Sequence, residues 1–354
     1  MKIIHFESGL GNQMLQWCVY LAQKEANPND SFYAETFCYD IPECNDVIRQ
    51  WNGYELERIF GLKLPNIKEL FSDNEWQKIM YDVRKSEFWN HKWNYGKYVS
   101  KALKGVGMDL EYIGVDLEKP GAKPIIPPLN TSGLMKIKEF LNHHFYPYTC
   151  LHEHIMYKRA EKLLENANYS YLFKQSNKNL YIPLKLDFCR KNSGIEKIEK
   201  KIKDAFRFPE VADENNIAAL DFIKTHNTVA IHARRGDMLG INYGFYATGY
   251  FRKAVKYIRQ QVADPVFCIF CDPSSVQWVK DHPNIFGLHP KTDKIYFIDW
   301  NKGTESFRDM QLMAACKHQV ITNSTFGWWG AFLNENPNKI TCSPIPYINT
   351  THTF

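Results

Sequence analysis

Two adjacent arginines are the residues of this sequence best suited to bind a phosphate. They lie in His232-Ala233-Arg234-Arg235-Gly236-Asp237, where the β-rich run Thr228–His232 ends. Guanidinium groups bind phosphate oxygens bidentately, and ligands of open α/β sheets bind where strands end. Since neighbouring strand residues point to opposite faces, at least one arginine must enter the crevice or pair with an acid such as Asp237. A surface Arg–Asp network without a ligand is the alternative.

A second candidate anion site is Asn323-Ser324-Thr325-Phe326-Gly327-Trp328-Trp329-Gly330, which follows one predicted strand and opens a helix. Hydroxyl groups and free backbone amides at a helix start are suited to an anion. An ordinary N-cap in front of an aromatic core helix is the alternative interpretation. An arginine pair in the same half of the chain favours the phosphate interpretation.

A third motif, Gly9-Leu10-Gly11-Asn12-Gln13-Met14, forms another strand-to-helix turn. It matches half of a dinucleotide-binding fingerprint, but Met14 occupies the third glycine position, and Glu35 is the only acidic candidate for a ribose contact. As a nicotinamide motif it is therefore weak. Asn12 and Gln13 are instead suited to hydrogen-bond a sugar or the reacting oxygen, and a tight structural turn is the alternative.

Two groups of potential metal ligands do not follow known metal-site patterns. One stretch holds His143, His144, Cys150, His152 and His154. Its spacing matches no familiar zinc site, so solvated loop histidines are the better interpretation. Cys268 and Cys271 form a C-x-x-C pair, but Cys268 lies inside an apolar run and is predicted to be a core thiol. No metal site is predicted.

Strand and helix patterns alternate from Thr228 onward. The predicted strands after the first are Val266–Phe270, Lys294–Ile298 and Gln319–Thr322, and between them apolar residues recur at helical spacing. Such alternation predicts a parallel, doubly wound sheet. The N-terminus repeats the order with a strand at Lys2–Phe6, the loop Glu7–Asn12, a helix from about Gln13 to Lys24 and a strand at Ser31–Glu35. Between about residues 70 and 207 only short helices are predicted.

Length and composition limit the class of protein. At 354 residues the chain exceeds what one core usually supports, so two lobes are expected. The net charge of +5 is too small and scattered for nucleic-acid binding. No signal peptide and no apolar run long enough for a transmembrane helix are visible, and nine scattered cysteines are typical of a reduced protein. A cytoplasmic location, or a peripheral one at the inner membrane, is expected.

Four blocks together resemble the bacterial α-1,2-fucosyltransferases, glycosyltransferase family 11. They are Gly9–Met14, Asn52–Phe60, His232–Asp237 and Cys316–Leu333. The sequence departs from the family pattern in two places, since Cys271-Asp272-Pro273 stands where an aspartate pair is usual and Gly327 stands where serine is frequent. Neither change removes a required group.

The resemblance implies a GT-B fold, with two Rossmann-like lobes facing across a cleft. Residues 1–207 would form the acceptor lobe, with a divergent stretch from about 70, and residues 208–354 the donor lobe. The implied reaction transfers L-fucose from GDP-fucose, with inversion, to the 2-hydroxyl of a terminal galactose on a glycan. Neither a metal nor a cofactor is expected to take part.

The resemblance also implies roles for individual residues. Arg234 would bind the pyrophosphate, with Arg235 and Asn323 also on the donor side. His232 and Asp309 would lie near guanine, and Ser324, Thr325 and Phe326 would line the phosphate and nucleoside pocket. Asn12 would lie near the fucose or the acceptor oxygen. For the general base, the nearest carboxylates are Asp237 and Glu7. Asp237 is favoured, although it is equally suited to orient the arginines through an ion pair.

Two other classes of protein stay open at this point. One is a nicotinamide-dependent oxidoreductase that uses the Gly9–Met14 turn, against which the missing third glycine counts. The other is a non-catalytic carbohydrate-binding protein, which nine tryptophans and twenty tyrosines would suit. Such a protein has no need of two arginines at a strand end.

Overall fold

The computed structural model describes residues 1–44, 52–91, 93–114, 116, 118, 137, 141, 170–183, 189–190, 193–235 and 249–354. These residues divide into two compact units. The first falls within Met1–Thr131, Asn168–Phe188 and Asn192–Phe208, and the second within Ser132–Ala167, Cys189–Lys191 and Pro209–Phe354. Each unit has its own parallel sheet. No helix among the described residues is long and apolar enough to cross a membrane.

The sheet of the first unit has four strands in the order β2-β1-β4-β3. They are β1 (Lys2–His5), β2 (Phe32–Glu35), β3 (Glu111–Tyr112) and β4 (Leu180–Ile182), all parallel. Its helices are α1 (Leu10–Ala26), α2 (Leu56–Phe60), α3 (Asp73–Lys85), α4 (Tyr95–Gly105) and α5 (Glu199–Ala205). The predicted order of strand, helix and strand at the N-terminus is confirmed.

The boundary of α1 corrects one prediction. The helix begins at Leu10 rather than Gln13, with Gly9 as its N-cap. Leu10 and Gly11 are buried, so the first turn is already part of the apolar face that packs on the sheet. Asn12 therefore lies in the first helical turn and not in a loop.

Two amphipathic helices occupy part of the stretch that the sequence left nearly unassigned. Ser72 caps α3 in a reciprocal capping box with Glu75. Trp76, Ile79 and Val83 of α3 then share a core with the apolar residues of α4. The sequence shows the apolar spacing, but lysines and aromatic residues on the other faces obscure the helical period.

The second unit is a doubly wound parallel sheet of six strands, in the order β10-β9-β8-β5-β6-β7. The strands are β5 (Asn227–Ala233), β6 (Pro265–Cys271), β7 (Lys294–Ile298), β8 (His318–Val320), β9 (Thr341–Ser343) and β10 (His352–Thr353). The helices are α6 (Glu214–Thr225), α7 (Tyr250–Gln261), α8 (Val276–Asp281), α9 (Pro283–Phe286), α10 (Phe307–Ala315) and α11 (Thr325–Phe332). The predicted α/β class with two Rossmann-like units is confirmed.

Alternate residues of the central strands enter different cores. Phe267 and Ile269 pack with α7, whereas Cys268 and Phe270 pack with α10 on the opposite face. Cys268 is fully buried, which confirms its prediction as a core thiol. Apolar side chains on both faces explain why these strands read as continuous apolar runs.

The order of the strands places a switch point between β5 and β8. From β5 the chain moves outward to β6 and β7, and then returns to place β8 on the other side of β5. Connections from the two strands therefore leave in opposite directions, which opens a crevice at their carboxyl ends. Both the arginine motif and the Asn323–Gly330 motif follow strands that flank this crevice.

Helices α10 and α11 approach closely at Gly330. A Cβ atom at this position would lie 2.9 Å from the Cβ of Met313. We therefore expect Gly330→Ala to lower the free energy of unfolding by about 1–3 kcal/mol, because the two helices must separate. Urea denaturation measures the change. Gly105→Ala is the matched control, since its Cβ would meet no atom closer than 4.0 Å. It should raise stability by about 0.5–1 kcal/mol, and equal losses in both variants would contradict the explanation.

Candidate active site

One carboxylate fixes both arginines at the end of β5. Ala233 and Cys271 are register partners, so the residues that follow β5 and β6 are neighbours. Arg234 Nη1 donates to Asp272 Oδ1 at 2.5 Å, and the backbone N–H of Arg235 donates to Asp272 Oδ2 at 2.8 Å. Asp272, which is 11% exposed, thus holds a cation and the backbone beside it.

Arg234 has an ion-pair partner, Asp272, that the sequence analysis did not name. Asp237, the acid that the sequence suggested, lies outside the described residues. The sequence contained a signal for this residue, because Asp272 comes directly after the strand that neighbours β5. Identifying it required the strand order, which the sequence shows only as a general α/β pattern.

The two arginine side chains have different surroundings. The guanidinium carbon of Arg235 lies 3.2 Å from the ring centroid of Trp278 on α8, in a cation–π stack. Arg234 keeps 32% of its side chain exposed while it pairs with Asp272. Both side chains are thus half-buried, and Arg234 is held by an ion pair whereas Arg235 is held by an aromatic ring.

His232, near the end of β5, packs against the start of α11. It is 5% exposed, its ring centroid is 5.8 Å from that of Phe326, and a Cβ on Gly327 would collide with its Nδ1. The structure therefore brings the first two candidate motifs together at the switch point. Burial, aided by the Arg234 cation, lowers the pKa of His232 to about 3, so the imidazole is neutral at physiological pH.

Several polar atoms around this contact are buried without a hydrogen-bond partner among the described residues. They are His232 Nδ1, Thr322 Oγ1, Asn323 Oδ1 and Trp328 Nε1. Each such atom costs about 1–3 kcal/mol, which a folded protein rarely keeps without a function. Ser324 is the N-cap residue of α11, but its side chain makes no capping bond. The ordinary N-cap interpretation therefore does not describe this segment.

Asp309 lies in the first turn of α10 and belongs to a buried amide network. Its Oδ1 accepts from Asn301 Nδ2 at 2.7 Å, and Asn301 pairs in turn with Asn216 at 2.7 and 3.1 Å. Burial raises the pKa of Asp309 to about 7, and the negative charge of Asp299 adds to the rise. The hydrogen bond from Asn301 acts in the opposite direction and lowers the pKa. Sequence reasoning missed both asparagines, because nothing local marks them as partners.

Three carboxylates, those of Asp272, Asp309 and Asp299, act on Cys271 at the carboxyl end of β6. Burial and the charges of Asp272, Asp309 and Asp299 raise the pKa of the Cys271 thiol to about 12. Asp309 is thus an electrostatic neighbour of the residue before Asp272. The donor-side residues predicted from the sequence lie in β5 or follow β5, β7 or β8, all in the second unit.

In the first unit, Gln13 positions the turn that carries Asn12. Its buried Nε2 donates to Ser8 O, Tyr39 Oη and Gly53 O at 2.7–2.9 Å. Its Oε1 accepts from the backbone N–H of Glu55 at 2.8 Å. Gln13 therefore serves as the link between the first two family-like blocks and does not face a ligand, which corrects its predicted role.

A line of charged side chains runs behind this turn. His5 Nδ1 lies 2.7 Å from Glu35 Oε2, and His5 Nε2 lies 3.3 Å from Glu7 Oε2. Glu35 is fully buried and also accepts from the Phe37 N–H and the Tyr95 and Tyr181 hydroxyls at 2.5–2.6 Å. Glu35 is thus committed to internal bonds and has no acceptor left for a ribose.

Within the described ranges, no group of three or more His, Cys, Asp or Glu residues is placed to hold a metal ion. The histidine-rich stretch around His143 lies outside those ranges.

The raised pKa of Asp309 predicts a pH-dependent effect on stability. Because its folded-state pKa of about 7 exceeds the usual 3.8, this group stabilises the fold below about pH 4 and loses that contribution as the pH rises towards 7. Asp309→Asn removes the titration and keeps the bond from Asn301. We expect its melting temperature, relative to wild type, to be several degrees higher at pH 8 than at pH 4.5. Asp221→Asn, an exposed control on α6, should show no such trend, and a pH-independent difference for Asp309→Asn would contradict the assignment.

The chain is similar to curated glycosyltransferases over about a third of its length. The alpha-1,2-colitosyltransferase of Escherichia coli is 32% identical over 36% of this chain and 43% of its own length. The O-antigen biosynthesis glycosyltransferase WbnK of Escherichia coli is 36% identical over 33% of this chain and 38% of its own length. Galactoside alpha-(1,2)-fucosyltransferase 1 of Mus musculus is 28% identical over 31% of this chain and 29% of its own length. The matches thus span less than half of each relative.

Solved structures with a similar arrangement include NodZ alpha-1,6-fucosyltransferase soaked with GDP-fucose, at a TM-score of 0.42 and 12% identity over 94% of this chain and 91% of that one. A mutant of Arabidopsis thaliana FUT1 in complex with GDP has a TM-score of 0.44 and 10% identity, and the match covers 99% of this chain and 72% of that one. The family model of glycosyl transferase family 11 matches residues 135–347, which is more than half of the chain. The chain therefore belongs to glycosyltransferase family 11.

Proposed function

We propose that this chain is a GT-B enzyme that transfers L-fucose from GDP-fucose to the 2-hydroxyl of a terminal galactose and inverts the anomeric centre. One observation carries the donor half of the proposal. A guanidinium held by Asp272 lies at the same switch point as a helix start that is surrounded by unpartnered polar atoms. Family membership and the names of the relatives support the acceptor half.

The diphosphate of the donor would bind at the crevice between β5 and β8. Arg234 supplies a fixed positive charge, and the N-terminus of α11 supplies backbone N–H groups and the positive end of the helix dipole. The side chain of Ser324 does not cap α11. Ser324 and Thr325 would add hydroxyl donors. The charge that develops on GDP as it departs is then stabilised without a metal ion.

The guanine base would lie towards Asp309 and His232. Guanine presents two adjacent N–H donors, N1–H and the 2-amino group, which a carboxylate can accept together. Asp309 is held by the asparagine network in a single orientation, and the neutral His232 offers an unpartnered ring nitrogen beside Phe326. Arg235, stacked on Trp278, would keep the β5 loop in place, and Asn323 would complete the polar lining with its buried Oδ1.

The two alternative classes of protein fit less well. A nicotinamide-dependent oxidoreductase needs a carboxylate for the ribose at the end of β2, but Glu35 is fully buried and already accepts four hydrogen bonds. A lectin needs no cation at a strand end. An assay with GDP-fucose and a panel of β-galactosides, followed by linkage analysis, tests the proposal. A donor panel extended to colitose, the sugar in the name of one relative, tests the choice of sugar.

Arg234 is the residue whose loss should be most damaging to transfer. We expect Arg234→Ala to lower kcat by about 10²–10³-fold, since removing one preorganised donor costs about 3–4 kcal/mol of barrier. Arg234→Lys should not restore activity, because the bidentate fork is lost. Arg84→Ala is the control, as Arg84 forms an exposed ion pair with Glu43 in the first unit. Circular dichroism should show all three variants folded. Near wild-type transfer by Arg234→Ala would refute the role of this residue.

Fixed side-chain and backbone donors predict metal-independent transfer. Wild-type enzyme dialysed against EDTA should keep its full rate, because the cation that neutralises the diphosphate is Arg234. The measurement compares initial rates with EDTA, with Mg²⁺ and with Mn²⁺. Loss of activity on chelation, with recovery when one of the ions is returned, would overturn the metal-free mechanism.

A further inference from the structure

Glu7 lies just beyond the end of β1, as Arg234 lies just beyond the end of β5. One residue, Phe6, separates Glu7 from β1, and Glu7 precedes α1, which carries Asn12 in its first turn. The carboxyl edge of a parallel sheet is where ligands of such sheets bind. The Glu7 side chain is 14% exposed, so it is largely desolvated but still reaches the surface.

One oxygen of the Glu7 carboxylate is fixed and the other is not. Oε2 accepts from Trp93 Nε1 at 3.0 Å and lies 3.3 Å from His5 Nε2. The backbone of Glu7 is held as well, because its N–H donates to Gln16 Oε1 at 3.1 Å. No described residue donates a hydrogen bond to Oε1.

The groups behind Glu7 keep it charged. Burial alone would lower the pKa of His5, but the carboxylates of Glu35 and Glu7 raise it to about 9. The imidazole is therefore a cation at neutral pH. Burial works to raise the pKa of Glu7, yet the His5 cation and the Trp93 bond hold it below its usual range. Glu7 is thus a preorganised anion with one oxygen open to a ligand.

We propose that Glu7 is the general base that accepts the proton of the acceptor hydroxyl, and that His5 and Glu35 position it. The proposal rests on the proposed function. As the hydroxyl oxygen bonds to the anomeric carbon of fucose, the bond from that carbon to the β-phosphate oxygen breaks and its electron pair leaves with GDP. The hydroxyl proton passes to Glu7 Oε1. Of the two carboxylates named from the sequence, this proposal assigns the base to Glu7, whereas the sequence favoured Asp237, which lies outside the described residues.

Glu35 holds the His5 ring on the side away from Glu7, with Oε2 of Glu35 2.7 Å from His5 Nδ1. His5 retains its own proton through the bond to Glu35, so it keeps the ring oriented and does not compete for the proton of the substrate.

Substitution of Glu7 tests the proposal directly. Glu7→Gln keeps the shape and the bond from Trp93 but cannot take a proton. We expect kcat to fall about 10²–10⁴-fold, the range for a general base, while KM for GDP-fucose and the affinity for GDP stay within twofold of wild type. Added formate should restore part of the rate of Glu7→Ala. Glu57, on α2, forms an exposed ion pair with Lys63, and Glu57→Gln should have the same kcat as wild type. The kcat of Asp237→Asn should fall less than tenfold.

The pH profile separates a positioning role from a structural one. The titratable groups that act on Glu7 or are acted on by it are His5, Tyr39, Tyr112 and Tyr181, with Glu35 behind His5. His5→Gln removes the cation beside Glu7, so the acid limb of kcat should move to higher pH. Glu7→Gln should lose that limb altogether. An unchanged acid limb in His5→Gln would reject its positioning role.

Three results would overturn the proposal itself. They are a Glu7→Gln rate within fivefold of wild type, no formate rescue of folded Glu7→Ala, or an Asp237→Asn loss larger than that of Glu7→Gln. In each of these cases the wild type still transfers fucose, so the proposed function would stand. If wild-type protein bound no GDP-fucose and transferred no fucose, the proposed function would fall first, and the role of Glu7 with it.

Discussion

Both units depend on a carboxylate that holds a cation at the end of the neighbouring parallel strand. In the second unit Asp272, after β6, holds Arg234 after β5. In the first unit Glu35, at the end of β2, holds His5 at the end of β1. A charge at this edge is only partly hydrated, and its free energy depends on a fixed partner. The adjacent strand is the element closest and most rigid, which is why it supplies that partner.

In the proposed function, the same arrangement would serve two different tasks. Where Asp272 holds Arg234, the cation would face the diphosphate of the donor. Where Glu35 holds His5, a second carboxylate, that of Glu7, lies on the other side of the ring. The Glu7 carboxylate reaches the surface. A cation for the departing group and an anion for the incoming proton are the two charges that an inverting transfer needs.

Much of the second unit could be predicted from the sequence, because buried parallel strands are continuous apolar runs separated by turns. The strand Lys294–Ile298 has the predicted bounds, and the two phosphate-type motifs meet as expected. Asp272, Asn216 and Asn301 could not be identified in the same way. Their roles follow from strand order and burial, which depend on residues far away in sequence. The helix start at Leu10 was missed for a similar reason, since a glycine-rich turn does not show that its first residues are packed.

Glu35 also constrains when the first unit can form. Its donors come from β1, from the N–H of Phe37, from α4 and from β4, and the last of these, Tyr181, lies 146 residues further along the chain. Until that segment has been synthesised, the carboxylate would be enclosed with a missing donor, and a nascent chain ending before β4 lacks the means to bury it. The N-terminal strand therefore gains its last donor to Glu35 from a distant part of the same polypeptide. Completion of this buried network during synthesis accordingly comes late, although the first two strands leave the ribosome early.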